Sequence, residues 1–279
     1  MILMEDSSWF RLGMAGIEKQ DSYTALMGFD GAVVRALQTS TVDHALQLLN
    51  KFTTLLLDNS WLHEAKSLID SFSKGVKRFE DQLSAAEGLF TLGSQIIRES
   101  IDLAIYIFDL AAGLDKKNES GLRIRAGKLL LSFSNENELE QKRLFSEAAR
   151  NLILAREFTG GSKIYEDLLD NSSSSSLPQL LAYAALGRLV ENDIQGASAL
   201  INQHRKKKEF VAAIREDERK RAYFEFTVES LSALRSGDAF RYNSIKKAFL
   251  QVAGNMDPVM MSYIKEIQGR LPPAPSSLF

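Results

Sequence analysis

The chain has no cysteine, few prolines and no excess of either charge. The absence of cysteine excludes disulfide bonds and thiolate metal ligands. The 34 basic and 36 acidic side chains nearly balance, which argues against nucleic acid as a partner. Of the five prolines, four lie from Pro258 onward and residues 1–177 contain none. A long stretch free of helix breakers and rich in Leu, Ala and Glu is predicted to be helical.

Long apolar runs are also missing. The most apolar stretch, residues 101–113, is interrupted by Asp102 and Asp109 and is too short to span a bilayer. The N-terminal sequence MILMEDSSWF has acidic residues early and lacks the apolar run of a secretion signal. We therefore expect a soluble cytoplasmic protein, with peripheral contact to a membrane as the alternative.

Catalytic and metal-binding patterns are not found in the sequence. His44, His63 and His204 lie in unrelated segments, and none has a ligand partner three or four residues away. The sequence GGSK at residues 160–163 lacks the spacing of a phosphate-binding loop. We expect no enzymatic activity, no cofactor and no metal, and a binding surface is the simplest remaining function.

Residues 144–204 contain two similar helical hairpins. In each, a helix with paired alanines is followed by a short polar turn. The second helix then opens with an apolar residue, a small residue and an apolar residue at three-residue spacing. The members of these triplets are Phe158, Gly161 and Ile164, then Ile194, Ala197 and Leu200. The offset from Phe158 to Ile194 is 36 residues, a period typical of tetratricopeptide-like (TPR-like) arrays. The small central residue lets a neighbouring backbone approach closely.

The predicted fold class is all-α, a TPR-like right-handed superhelix of antiparallel helical hairpins with a C-terminal helical cap. An ordinary helix bundle is the alternative. We expect a single domain over residues 1–279, with an irregular part at 1–40 and hairpin repeats at 41–206. The C-terminal helices are expected at 207–270 and a tail at 271–279. Gly161 and Ala197 are predicted to be buried at helix crossings.

The N-terminal part carries glycines beside apolar residues. Residues 9–17 fit one amphipathic helix, whereas Gly28 and Gly31 on either side of Phe29 favour a loop. That loop either packs onto the first helix pair or touches a membrane through Met27 and Phe29. Near the other end, the charged residues 206–221 are interpreted as a solvated helix start or loop, with a partner-binding patch as the alternative.

The order of these elements resembles the soluble NSF attachment proteins (SNAPs). The similar segments are EAARNLILAREFTGGSKIYEDLL, LAYAALGRLVENDIQGASALINQH and the closing segment that ends YIKEIQGRL. The resemblance covers roughly the part of the chain from Ala85 to Leu271. It implies an adaptor that binds SNARE complexes and recruits the NSF ATPase in vesicle trafficking. The chain departs from the family in ending with PPAPSSLF instead of an acidic tail.

The end of the chain carries the candidate binding residues, one of them from the resemblance and the others from position and charge. A family leucine that acts on the ATPase is penultimate, and Leu278 holds that place. Lys246, Lys247 and Lys265 of the last helices are candidates for partner binding because of their positive charge, which does not match the acid-rich end of the family. Exposed Met260, Met261 and Tyr263 are expected on the cap. The alternative function is a SNAP-like TPR scaffold that stably binds another large protein, as the huntingtin-associated SNAP-like protein does.

Overall fold

The computed structural model describes residues 8–77, 82–169, 176–254 and 257–271. Within these ranges every regular element is a helix, and there are fifteen of them. The chain divides into two compact units, Met1–Ala126 (unit 1) and Gly127–Phe279 (unit 2).

Unit 1 is built from antiparallel helical hairpins. Its helices are α1 (Ser8–Glu18), α2 (Ser22–Thr39), α3 (Val42–Asp58), α4 (Leu62–Val76), α5 (Gln82–Ile96), α6 (Ile101–Leu114) and the first part of α7 (Glu119–Ser134). The turns inside these hairpins are short, so that the two helices of each hairpin run in opposite directions. α1 packs on α2, α3 on α4 and α5 on α6, while α2 also contacts α4 and α3 contacts α5.

Polar side chains fix where several helices of unit 1 begin. Asp21, Thr41 and Ser100 each precede a helix and accept a backbone N–H from its first turn. These bonds satisfy donors that the helix itself leaves unpaired. The amphipathic pattern that follows each cap then turns one face toward the interior. At the centre of the unit the rings of Phe29 and Phe52 are stacked with their centroids 4.3 Å apart.

Unit 2 contains the second part of α7 and eight further helices in its described residues. These are α8 (Gln141–Leu154), α9 (Phe158–Leu169), α10 (Leu177–Val190), α11 (Ile194–His204), α12 (Lys208–Glu216), α13 (Glu218–Ser236), α14 (Ala239–Ala253) and α15 (Pro258–Arg270). α10 is apolar on nearly every side and is central, because it packs against α9, α11, α13 and α15. Asp193, Asp217, Asp238 and Asp257 cap the helices that follow them.

The predicted TPR-like all-α class of antiparallel helical hairpins is confirmed in both units. The small-residue prediction is also confirmed, since Gly161 and Ala197 are both buried. A Cβ atom at Gly161 would lie 2.5 Å from Cγ1 of Ile153 on the preceding helix. The predicted single array differs from the observed division, which falls between Ala126 and Gly127 inside α7.

The prediction of an irregular part at residues 1–40 is wrong for residues 8–18 and 22–39, which are helical, while residues 1–7 lie outside the described residues. α1 and α2 are regular helices, and the two glycines expected in a loop lie within α2. Gly28 lies against the backbone of α1, where a Cβ atom would be 2.1 Å from the amide nitrogen of Gly13. The glycine therefore serves close packing of two helices and not a turn. The tail 272–279 lies outside the described residues.

Candidate partner-binding surface

The last two helices carry the three lysines that the sequence singled out. Lys246 and Lys247 lie on α14, and Lys265 lies on α15. The Lys246 ammonium donates a 2.9 Å hydrogen bond to the side-chain oxygen of Gln268, which joins the two helices. Lys265 lies one turn before Gln268 on α15. The side chains of Lys247 and Lys265 are both exposed. The structure therefore places the three lysines on one helix pair, which we call the lysine surface.

The lysine surface has unbalanced positive charge. The other basic side chains of these helices have carboxylate partners, since Arg241 pairs with Glu229 and Arg270 with Glu266. Among the described residues the three lysines have no carboxylate within ion-pair distance. Three uncompensated cations on a two-helix surface attract a partner with an acidic face.

The prediction that the cap exposes its apolar residues is wrong for Met260 and Tyr263. Both are fully buried, because α15 folds back onto α10 and α8. The Tyr263 hydroxyl lies 3.1 Å from Oγ of Ser162, which itself donates to the carbonyl of Phe158. Burial raises the pKa of the Tyr263 phenol well above its usual range. Leu278 lies outside the described residues.

The predicted membrane-touching residues lie in a helix and not in a loop. Phe29 is fully buried against Phe52 and cannot contact a membrane in this structure. Met27 lies two residues before Phe29 on the same helix and is 44% exposed. No described helix is both long and apolar enough to cross a bilayer.

The charged residues 206–221 form the short helix α12 and the start of α13. The α12 face turned inward is apolar, with Phe210 fully buried. Asp217 separates the two helices and accepts N–H groups of Arg219 and Lys220, so that these backbone bonds lower the pKa of its carboxyl. The stretch is thus helical, with its basic residues outside.

A charged network at the hairpin turns was not predicted from the sequence. Arg188 on α10 binds both carboxylate oxygens of Glu166 on α9, at 2.6 and 2.7 Å. It also donates to Asp193 at 2.8 Å. Two hydrogen bonds lower the pKa of the Asp193 carboxyl: the one from the Gly196 backbone N–H contributes most, and the one from the Arg188 guanidinium contributes less. The network ties three successive helices together, and only the capping position of Asp193 was visible as a sequence signal.

The three histidines lie on three different helices. His44 is on α3, His63 on α4, and His204 is buried at the end of α11. Among the residues that the structure describes, no three ligating side chains are grouped so as to hold a metal ion.

The described residues of each unit define an all-α protein built from helical hairpins. No protein-family model matches the sequence, and no curated protein matches it either. Among solved structures, the chain is similar to Get4 from C. therm., with 15% sequence identity over 96% of this chain and 91% of that one. The TM-score is 0.38, so this likeness carries no argument about function.

Proposed function

We propose that the chain is an adaptor that binds other proteins non-covalently through the outer surfaces of its hairpins. The observation that carries this proposal is the lysine surface, whose Lys246, Lys247 and Lys265 have no carboxylate partner among the described residues. Exposed cations of this kind contribute little singly, but several acting together on one acidic partner produce a salt-dependent contact.

The specific form of the proposal is a SNAP-type adaptor. A SNARE four-helix bundle with an acidic surface is the partner for the lysine surface, and an NSF-type ATPase is the partner for the chain end that contains Leu278. The sequence resemblance over residues 85–271 supports this form. The competing form is a SNAP-like scaffold bound permanently to a different large protein.

The test is binding of the full chain to a fluorescently labelled soluble SNARE bundle, measured by anisotropy at low salt. Reversing Lys246, Lys247 and Lys265 to Glu is expected to weaken binding at least tenfold, which corresponds to about 1.4 kcal/mol. The matched control reverses the three lysines of residues 206–208, which changes the net charge equally. An equal loss in the control would show that net charge, and not the lysine surface, governs binding.

The role of the chain end is tested separately. Deletion of residues 272–279 is expected to abolish stimulation of the NSF ATPase while SNARE binding persists. Full stimulation without the tail would remove Leu278 from the proposal. Failure of the intact chain to bind SNARE bundles at any salt concentration would favour the scaffold form.

A further inference from the structure

A second surface of unit 2 is an apolar groove between α13 and α14. It has a volume of about 240 Å³ and runs along Ala222 to Glu229 on one helix and Ile245 to Val252 on the other. Its floor consists of Phe226 and Phe249, whose ring centroids are 4.8 Å apart. Its wall on α14 is accessible, since Ala248 is exposed and Val252 is 37% exposed.

The dimensions of this α13–α14 groove match a helix. Seven residues separate the ends of the groove on each helix, so that it extends over about 10 Å. This is the distance between apolar residues at positions i and i+7 of a helix. Helices that dock in apolar grooves use anchors at i, i+3 or i+4, and i+7.

The charges at the groove are unequally distributed. Glu225 and Glu229 are its charged lining residues, and both lie on the α13 edge. Glu229 is paired with Arg241. Glu225 is 65% exposed at its side chain and lies 4.0 Å from Arg221, at the limit of an ion pair. A partner that lies in the groove therefore gains most from a cation placed against Glu225.

Two other occupants fit this pattern less well. The tail 272–279 has the sequence PPAPSSLF, which has no cation to place against Glu225 and has prolines that disfavour a helix. A symmetric second copy of the chain would bring its own Glu225 to the same contact, since a twofold interface uses the same patch on both molecules. The groove's lining contains no Lys or Arg to pair with the two carboxylates.

We propose that the α13–α14 groove binds an amphipathic helix of a partner protein, with Lys or Arg on the flank that faces Glu225. The contact is distinct from the lysine surface: it uses apolar anchors and takes a cationic partner, whereas the lysine surface takes an acidic one. Its test involves none of the three lysines, so that each proposal can fail without the other.

The probe is a labelled 18-residue peptide with Leu at helical spacing on one face and Lys on one flank, titrated with the full chain. Ala248→Arg, which places a bulky cation in the groove, is expected to weaken binding at least tenfold. Gln251→Arg is the matched control, because it adds the same side chain to an exposed position of α14 outside the groove. It is expected to change the affinity less than twofold. Circular dichroism verifies that both variants are folded.

The charge requirement is tested with Glu225→Gln and with a second peptide that carries Glu in place of Lys. We expect Glu225→Gln to weaken binding of the Lys peptide about threefold or more, and the Glu peptide to bind several-fold more weakly. Equal binding of the two peptides would overturn the proposal, as would equal effects of Ala248→Arg and Gln251→Arg.

Two further measurements address the other occupants. A dimer at micromolar concentration that Ala248→Arg dissociates would identify a second copy as the occupant and overturn the proposal. A tenfold gain in peptide affinity on deletion of residues 272–279 would identify the tail instead. Unchanged affinity in the deletion variant and a monomeric chain support the partner helix.

Discussion

Replacing Gly28 with Ala is expected to destabilise unit 1, because α1 and α2 are in backbone contact at this position. The added Cβ atom would lie 2.1 Å from the amide nitrogen of Gly13, 2.5 Å from its Cα and 2.7 Å from the carbonyl oxygen of Trp9. All three atoms belong to the backbone, so that no side-chain rotation relieves the overlap. The two helices must move apart.

The magnitude follows from two opposing effects. Overpacking of an interior costs about 1–3 kcal/mol, and a contact with rigid backbone lies at the upper end of that range. Ala is the better helix former by roughly 1 kcal/mol. We therefore expect a net loss of about 2 kcal/mol. The matched control is Gly121→Ala in α7, where a Cβ atom meets nothing within 4 Å. Its stability should be unchanged or slightly raised.

Urea unfolding monitored by tryptophan fluorescence is the suitable assay, because both tryptophans of the chain, Trp9 and Trp61, lie in unit 1. The expected result is a lower midpoint for Gly28→Ala with an unchanged slope. Equal midpoints for Gly28→Ala, Gly121→Ala and the unsubstituted chain would refute the close approach of α1 and α2.

Three further predictions concern unit 2, and urea unfolding followed by circular dichroism measures each. Gly161→Leu is expected to cost about 1–3 kcal/mol, because its first side-chain atom already overlaps Ile153; an unchanged midpoint would contradict the small-residue interpretation. Arg188→Met removes the paired contact with Glu166 and is expected to cost about 1 kcal/mol at this partly exposed site, a loss that should shrink in high salt. The pKa of Tyr263 is raised in the folded state, so that its protonated form is favoured there. The free energy of unfolding should be constant with pH below pH ~10 and should fall above it, by up to about 1.4 kcal/mol per pH unit. In the Tyr263→Phe variant this fall should be less steep.

Hairpins with a strong local pattern could be predicted from the sequence. The second arms that begin at Phe158 and Ile194 were located because an apolar, small and apolar triplet follows a polar turn in each. α10 was also predicted, as the first helix of the second hairpin, from the paired alanines Ala184 and Ala185. In these segments propensity, capping and burial all favour the same structure.

The second helix of the N-terminal hairpin was missed although its signal is of the same kind. Gly13 and Gly16 on α1 have the same three-residue spacing as Gly28 and Gly31 on α2. Each pair lies on one helix face, and the two faces pack together. A single glycine pair beside Phe29 is compatible with a loop or a helix, and only the second pair favours the helix.

The wrong prediction of exposed residues on the C-terminal cap has a different cause. Met260 and Tyr263 were expected at the exposed end of an array, because a last helix has no successor to cover it. In the structure α15 returns to helices far earlier in the chain, and the Tyr263 hydroxyl meets Ser162. A contact across 101 residues leaves no local pattern in the sequence. The position of the unit boundary inside α7 is equally hidden, since a continuous helix has no break in its periodicity.

α14 connects the two proposed binding surfaces and explains how one helix can serve both. Lys247 and Ala248 are neighbours in sequence, but consecutive residues of a helix point about 100° apart. Ala248 therefore lines the apolar groove with Glu225 opposite, while Lys247 lies outside that groove on the lysine surface. Two surfaces with opposite charge preference on one helix suit partners of different chemistry. The two surfaces share a helix but no side chain, so Ala248→Arg and the lysine reversals act on separate sets of contacts.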